Sequence, residues 1–223
     1  MDWGRRDYVD ALGAMRRLVE ERRRGAIDDT LVLVEHPPVV TVGVQGDDGG
    51  AAASGLPVVA VERGGHATYH GPGQLVGYPI VDLEPRGRDV RRFVRQLEEL
   101  LAEAIAPFGV AGGHVRGEPG LWVEGRRKIA SIGVAVDHWV TFHGFALNVG
   151  IDLAVFERFR PCGLDGSVMT SLSRELGRPV DLGEVRPTVL AAWRRGIGGA
   201  PPTPALPSVA PGAGGSPSPG TPV

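Results

Sequence analysis

A cysteine, a lysine and a glycine-rich stretch carry the chemistry that this 223-residue sequence can offer. Cys162 is the only cysteine, and a lone cysteine is commonly just a small buried hydrophobe. Its neighbours argue otherwise. Pro161 fixes the approach of the chain, and Gly163 removes a side chain where a reacting group must come close. That is a turn that presents a thiol. The nucleophile is the thiolate, and a free cysteine titrates near pH ~8.5, so an adjacent ammonium would favour the reactive form. Lys128 is the second candidate. After Arg126 and Arg127 it could equally be a surface lysine, but Ile129 opens an apolar strand, which puts the amine at a strand mouth where it is partly desolvated.

The stretch Arg63-Gly64-Gly65-His66-Ala67-Thr68-Tyr69-His70-Gly71-Pro72-Gly73-Gln74 mixes glycines and a proline with polar side chains. Glycine permits positive φ and close backbone approach to a ligand, so the stretch reads as a shaped loop and not as a helix or regular strand. Apolar runs at Val58–Val61 and Leu75–Val81 flank it and read as buried strands. His66 and His70 are four apart, a metal-ligand spacing only on a helix, and the surrounding glycines argue against one. No metal is expected.

These residues need a scaffold. Tyr8, Ala11, Leu12, Met15, Leu18 and Val19 recur at helical spacing, and Gly25 follows as a stop. Leu31–Val34 and Val39–Gly43 read as strands separated by Pro37-Pro38, which demands a kink or a change of sheet. Asp89 can cap a helix carrying Val90, Phe93, Leu97, Leu100, Leu101 and Ile105. Val110–Pro119 reads as a loop. Leu121–Val123, Lys128–Val136 and Trp139–Val149 read as an antiparallel meander. Short helices are expected around Val155–Phe159 and Val168–Leu176. Asp181 and Glu184 have capping-box spacing before a last helix in which Pro187 is awkward. Strands and helices mixed without strict βαβ alternation give an α+β fold: mixed and antiparallel sheets with helices packed around them.

The segment RGGHATYHGPGQLVGYPI resembles the signature of the lipoyl(octanoyl) transferases. Lys128–Gly133, Phe142–Asn148 and Pro161–Leu164 resemble further segments of that family in the same order, so the likeness runs from about Leu31 to about Leu172. The resemblance implies the catalytic fold of biotin and lipoate protein ligases. It implies transfer of an octanoyl group from octanoyl-acyl carrier protein to a lysine of lipoyl domains, those of 2-oxoacid dehydrogenase complexes and of the glycine cleavage H protein. It implies a Cys162/Lys128 pair working through a thioester, with no cofactor, in a monomer. Carried over residue by residue, the substrate-binding positions are Arg63, Gly64, Gly65, His66, Ala67, Thr68, Tyr69, His70, Ser131, Ile132, Gly133, Gly144, Phe145 and Ala146. His143 and Asn148 read as structural partners first. A wall for the alkyl tail is expected near Gly64, Gly65, Val76, Ile132 and Leu147.

Net charge is −2, with no general basic excess for nucleic acid, although arginines cluster at Arg16-Arg17 and Arg22–Arg24. One cysteine excludes an internal disulfide and suits a reducing, cytoplasmic setting, and no run is apolar enough to span a membrane. Residues 1–197 read as one catalytic domain, and 198–223, almost all Gly, Pro, Ala, Ser and Thr, as a disordered tail. Three other readings stay open from the residues: an ATP-dependent lipoate or biotin ligase, which would lack a nucleophilic cysteine; a non-catalytic binder of acyl carrier or lipoyl domains; and a cysteine hydrolase.

Overall fold

The computed structural model describes residues 1–47, 51, 54–158 and 166–199. Cys162, with Phe159, Pro161 and Gly163, lies outside the described residues, as does the tail from residue 200 onward.

Among the described residues, ten strands form two sheets. In chain order they are β1 (Asp2–Arg5), β2 (Thr30–Glu35), β3 (Val39–Val42), β4 (Val58–Ala60), β5 (Ala67–His70), β6 (Gln74–Ile80), β7 (Gly112–Val115), β8 (Glu118–Val123), β9 (Arg127–Asp137) and β10 (Val140–Asn148). The large sheet has the order β1-β2-β6-β10-β9-β8-β7, and the small one β4-β3-β5. All neighbours in the large sheet are antiparallel except the edge pair β1 and β2. The two prolines after His36 mark the passage from large sheet to small, as expected.

The described residues also form four α-helices: α1 (Tyr8–Arg23), α2 (Val90–Ile105), α3 (Leu172–Leu176) and α4 (Leu182–Arg195). Period-two alternation divides the sheet between them. Leu31, Leu33, Leu75, Phe145 and Leu147 pack under α2 and α4. Val32, Val34, Val76, Tyr78 and Ile80 pack under α1. Asp89 caps α2 through its contact with the Arg92 N–H at 2.8 Å. The Asp181–Glu184 capping box forms, and α4 starts at Leu182 and runs through Pro187. No helix among the described residues is long and apolar enough to cross a membrane.

Four expectations need correcting. The glycine-rich stretch is not all loop: Ala67–His70 is a strand, because paired residues of β3 satisfy its backbone and its side chains alternate between two apolar surroundings. Of the two flanking strands only β6 is buried; β4 is a largely exposed edge. The segment 110–119 is no loop, since β7 and the start of β8 form a hairpin there. The strand β1 was not foreseen: its four residues have no apolar alternation, and its only strand partner is β2.

Two irregularities re-aim side chains at the site. In β9, Lys128 pairs with Trp122 but Ala130 with Leu121, so Ile129 is an extra residue and the strand bulges. Ile129 and Ala130 then both enter the main core, which a regular strand forbids. In β10, His143 has φ +57° and Gly144 φ +153°. The residue across the ladder is Pro79, which has no N–H to give, so the local break sacrifices no donor there. A Cβ on Gly144 would meet the Gly77 carbonyl oxygen at 2.3 Å and Pro79 Cδ at 2.4 Å, so only glycine fits.

Candidate active site

Lys128 directly precedes the bulge and is 2% exposed, more buried than its charged neighbours suggest. Its stem crosses Gly120, where a Cβ would stand 2.8 Å from Lys128 Cε. Its Nζ lies 5.2 Å from the centroid of the Trp122 ring, a cation–π distance. The segment after Cys162 is tied to it: Thr170 N–H donates to the Lys128 carbonyl at 3.0 Å, and Met169 bridges to Lys128 in parallel register. Next door, the Arg127 guanidinium grips both oxygens of Glu175 at 2.8 and 2.9 Å, and Glu175 also accepts from Thr170 Oγ1 at 2.6 Å. The Arg127 contact is the main reason that the Glu175 carboxyl is held below its ordinary range.

Lys128 lines an outer cleft of about 480 Å³, between the N-terminal part of α2, the β7–β8 turn and the Gly64–His66 segment. Gly64, Gly65, Ile132 and Gly133 belong to this cleft and also to a narrow inner slot of about 40 Å³. The slot lies between the two sheets, which are joined by the Gly64 N–H donating to the Val134 carbonyl at 3.0 Å. Its wall is mostly apolar, with Val76, Ile132, Phe145 and Ala146 beside Tyr8, Tyr78, His70 and His143.

Of the expected binding residues, Arg63, Gly64, Gly65, Thr68, His70, Ser131, Ile132, Gly133, Gly144, Phe145 and Ala146 meet at the slot, and His66 lines the cleft. Ala67 and Tyr69 do not: on β5 they alternate with Thr68 and His70 and pack into a separate cluster with Val40 and Phe156. Leu147 packs in the main core and is no part of the slot. Tyr8, Tyr78 and His143 were not foreseen as lining. Each looked like core or scaffold, and the only hint was a polar group on an apolar stripe.

A directed hydrogen-bond chain fixes this region. Asn148 Nδ2 donates to the Thr170 carbonyl at 3.0 Å, which can only accept. Asn148 Oδ1 therefore accepts from Gln74 Nε2 at 3.0 Å, and Gln74 Oε1 faces His70 Nδ1 at 2.8 Å. His70 thus carries its proton on Nδ1, leaving Nε2 to accept from Thr41 Oγ1 at 3.4 Å. Thr41 Oγ1 in turn accepts from Arg63 Nη2 at 2.8 Å. Burial, then the nearby His36 and Arg63, push His70 down to about 3, so its ring is neutral. Burial likewise lowers His143, to about 4, although Glu62 lies close. The Glu62 Oε2–His143 Nε2 distance is 3.5 Å and makes no hydrogen bond, so a neutral imidazole near a carboxylate describes the pair better than a salt bridge. Burial also raises Tyr8 and Tyr78. The Tyr78 hydroxyl donates to His36 Nε2 at 2.8 Å, because His36 Nδ1 donates to the Arg6 carbonyl at 2.7 Å. Asn148→Leu would orphan Gln74 Nε2 and the Thr170 carbonyl at once. We expect a loss of roughly 2–4 kcal/mol, read from urea unfolding midpoints.

The arrangement suits acyl transfer: a buried amine in an open cleft that runs into a narrow, mostly apolar slot. Comparison with known proteins agrees. Residues 7–194 match the lipoyl protein ligase A/B catalytic domain family. An octanoyltransferase of Geobacter metallireducens is 50% identical over 188 residues, covering 84% of this chain and 88% of that one. An octanoyltransferase of Mycobacterium bovis is 49% identical over 189 residues, covering 83% and 81%. Among solved structures, a lipoate-protein ligase A bound with ATP has a TM-score of 0.65 at 15% identity, covering 87% of this chain and 82% of its own. The putative lipoate protein ligase Ta0514 of T. acidophilum with bound lipoic acid has a TM-score of 0.66 at 16% identity, covering 87% and 83%; at these identities both show the shared fold alone. Family match and half-identical relatives together place the chain in the lipoyl protein ligase A/B catalytic domain family, among its octanoyltransferases.

Proposed function

We propose that the protein moves an octanoyl group from octanoyl-acyl carrier protein to the lysine amine of a lipoyl domain, with Cys162 as nucleophile and Lys128 as its proton partner. The observation that carries this reading is Lys128 itself, buried in the cleft that shares Gly64, Gly65, Ile132 and Gly133 with the slot. In the resting pair Cys162 is a thiolate and Lys128 an ammonium. The thiolate attacks the thioester carbonyl and the tetrahedral adduct collapses. The carrier's thiolate leaves and takes the Lys128 proton, and the octanoyl group stays on Cys162 as a thioester. Lys128, now neutral, receives a proton from the attacking lipoyl-domain amine. The amide forms, and Cys162 leaves as thiolate beside a restored ammonium. One thioester and one amine become one amide and one thiol, with no ATP and no metal in the balance.

The tail fits the slot by chemistry. Burying six or seven methylenes at ~0.8 kcal/mol each gives roughly 5 kcal/mol. His66 and His70 stand in different cavities, His66 at the cleft and His70 at the slot, and His70 is engaged by Gln74 and Thr41. The acceptors are lipoyl domains of 2-oxoacid dehydrogenase complexes and the glycine cleavage H protein, and the protein acts as a cytoplasmic monomer.

Intact-mass measurement after mixing with octanoyl-acyl carrier protein, without acceptor, tests the reading. We expect one added octanoyl group, released by hydroxylamine and absent from Cys162→Ala. No adduct, with carrier still bound, would leave a binding protein. An adduct requiring free octanoate and ATP would make it a ligase.

A further inference from the structure

Behind the inner slot lies a third cavity. This is a solvent-facing groove of about 530 Å³, lined by Arg16, Val19, Glu62, Val136, Asp137 and Phe142. Cleft, slot and groove follow one another. The cleft and slot share Gly64, Gly65, Ile132 and Gly133; the slot and groove share no lining residue. His143 stands between the last two. His143 lines the slot, while its Nε2 is 3.5 Å from Oε2 of Glu62, which lines the groove. Glu62 in turn is bound by Arg16, also of the groove.

The backbone explains how His143 comes to stand there. In a regular strand the residue after Phe142 would point to the opposite face of the sheet. The left-handed φ at His143 turns its ring to the same side, 4.9 Å from the Phe142 ring. Its N–H is turned toward Met15 Sδ of α1, at 3.1 Å. The ring is 2% exposed, and its Nε2 has no hydrogen-bond partner. A buried polar nitrogen without a partner carries a cost, and a residue other than glycine at positive φ carries another. A merely space-filling position would be served better by an apolar side chain on a regular strand. The outer supports, by contrast, are weak: the Arg16 and Glu62 side chains are 58% and 39% exposed, and surface pairs of this kind hold little.

We propose that His143 is the residue that sets acyl length. Its imidazole closes the far end of the slot like a stopper, and a tail longer than the slot must displace it to reach the groove. The proposal rests on the reading of the slot as the acyl site and adds the specificity determinant of that site. Beyond the stopper the groove offers Val19, Val136 and Phe142 as apolar surface for a longer tail. Each methylene that meets a closed wall changes selectivity by about ten- to two-hundredfold.

His143→Gly is the direct test, since glycine accepts the backbone angle and removes the stopper. Purified wild type and variant would be compared with octanoyl-, decanoyl-, dodecanoyl- and tetradecanoyl-acyl carrier protein as donors and a lipoyl domain as acceptor. We expect the dodecanoyl-to-octanoyl ratio of kcat/KM to rise at least tenfold in the variant. His143→Asn, which tolerates the same angle and shortens the stopper, should relieve decanoyl alone; it also serves if the glycine variant does not fold. An unchanged length profile in a folded variant, with wild type active on octanoyl donor, overturns the stopper and leaves the acyltransfer reading standing. Wild type inactive on every donor overturns both.

Discussion

Replacing Lys128 with methionine should lower octanoyl transfer by roughly a thousandfold while leaving the fold intact. General acid–base roles of this kind contribute about 10²- to 10⁴-fold. Methionine keeps the volume and flexible stem that cross Gly120 and lie against Trp122, so the variant removes charge and proton, not packing. Arginine should fail as well. Gly120 leaves no room for a bulkier end, and a guanidinium cannot release a proton in this cycle. The measurements are steady-state transfer to a lipoyl domain and the rate at which iodoacetamide alkylates Cys162. Both should fall in Lys128→Met, because on the proposed cycle the thiolate would lose its counter-ion. Transfer within tenfold of wild type would remove Lys128 from the mechanism.

The second large effect is on stability. Between pH 7 and pH 5 the protein should lose roughly 4 kcal/mol of folding free energy. His70 titrates at about 3 and His143 at about 4 in the folded chain, against about 6.5 for an ordinary histidine. The unfolded chain therefore binds protons first as pH falls. The stability these residues carry is complete above pH ~6.5 and shrinks downward, each unit costing about 1.4 kcal/mol per histidine until the folded value is reached. His36, lowered by its burial, adds in the same direction. Glu62 and Glu175 are also shifted downward, but from a lower starting point, so their loss belongs below this window. Urea unfolding at pH 7, 6 and 5 reads the slope, and His143→Asn should make it shallower by about half. A flat profile would mean that the buried rings find protons, or water, in the folded state.

Much of this was legible in advance for physical reasons. The α1 stripe, the Asp89 cap, the meander and the passage between sheets at Pro37-Pro38 are local patterns, and local patterns survive folding. The Thr68 and His70 side of the glycine-rich stretch was legible as lining, but the strand there was not, because the pairing that makes it a strand comes from Val39–Val42. Tyr8 and His143 were missed for a related reason. They meet across 135 residues, and each taken alone suits a core. The bulge at Ile129 has no sequence mark beyond an apolar run one residue too long to alternate. Pro79 within an apolar strand was a visible warning of a ladder break, and Gly144, where a Cβ would meet Pro79 Cδ, was the other half of the sign.

The slot lies at the seam where the small sheet meets the large one, beside the bond between Gly64 and Val134. On the proposed cycle its contents are attached to the chain and cannot be diluted away. The octanoyl tail then behaves as a borrowed core residue, present only between the two half-reactions. On that cycle the protein would alternate between an interior that is one side chain short and one that its own substrate completes. The completed form is the one that meets the lipoyl domain.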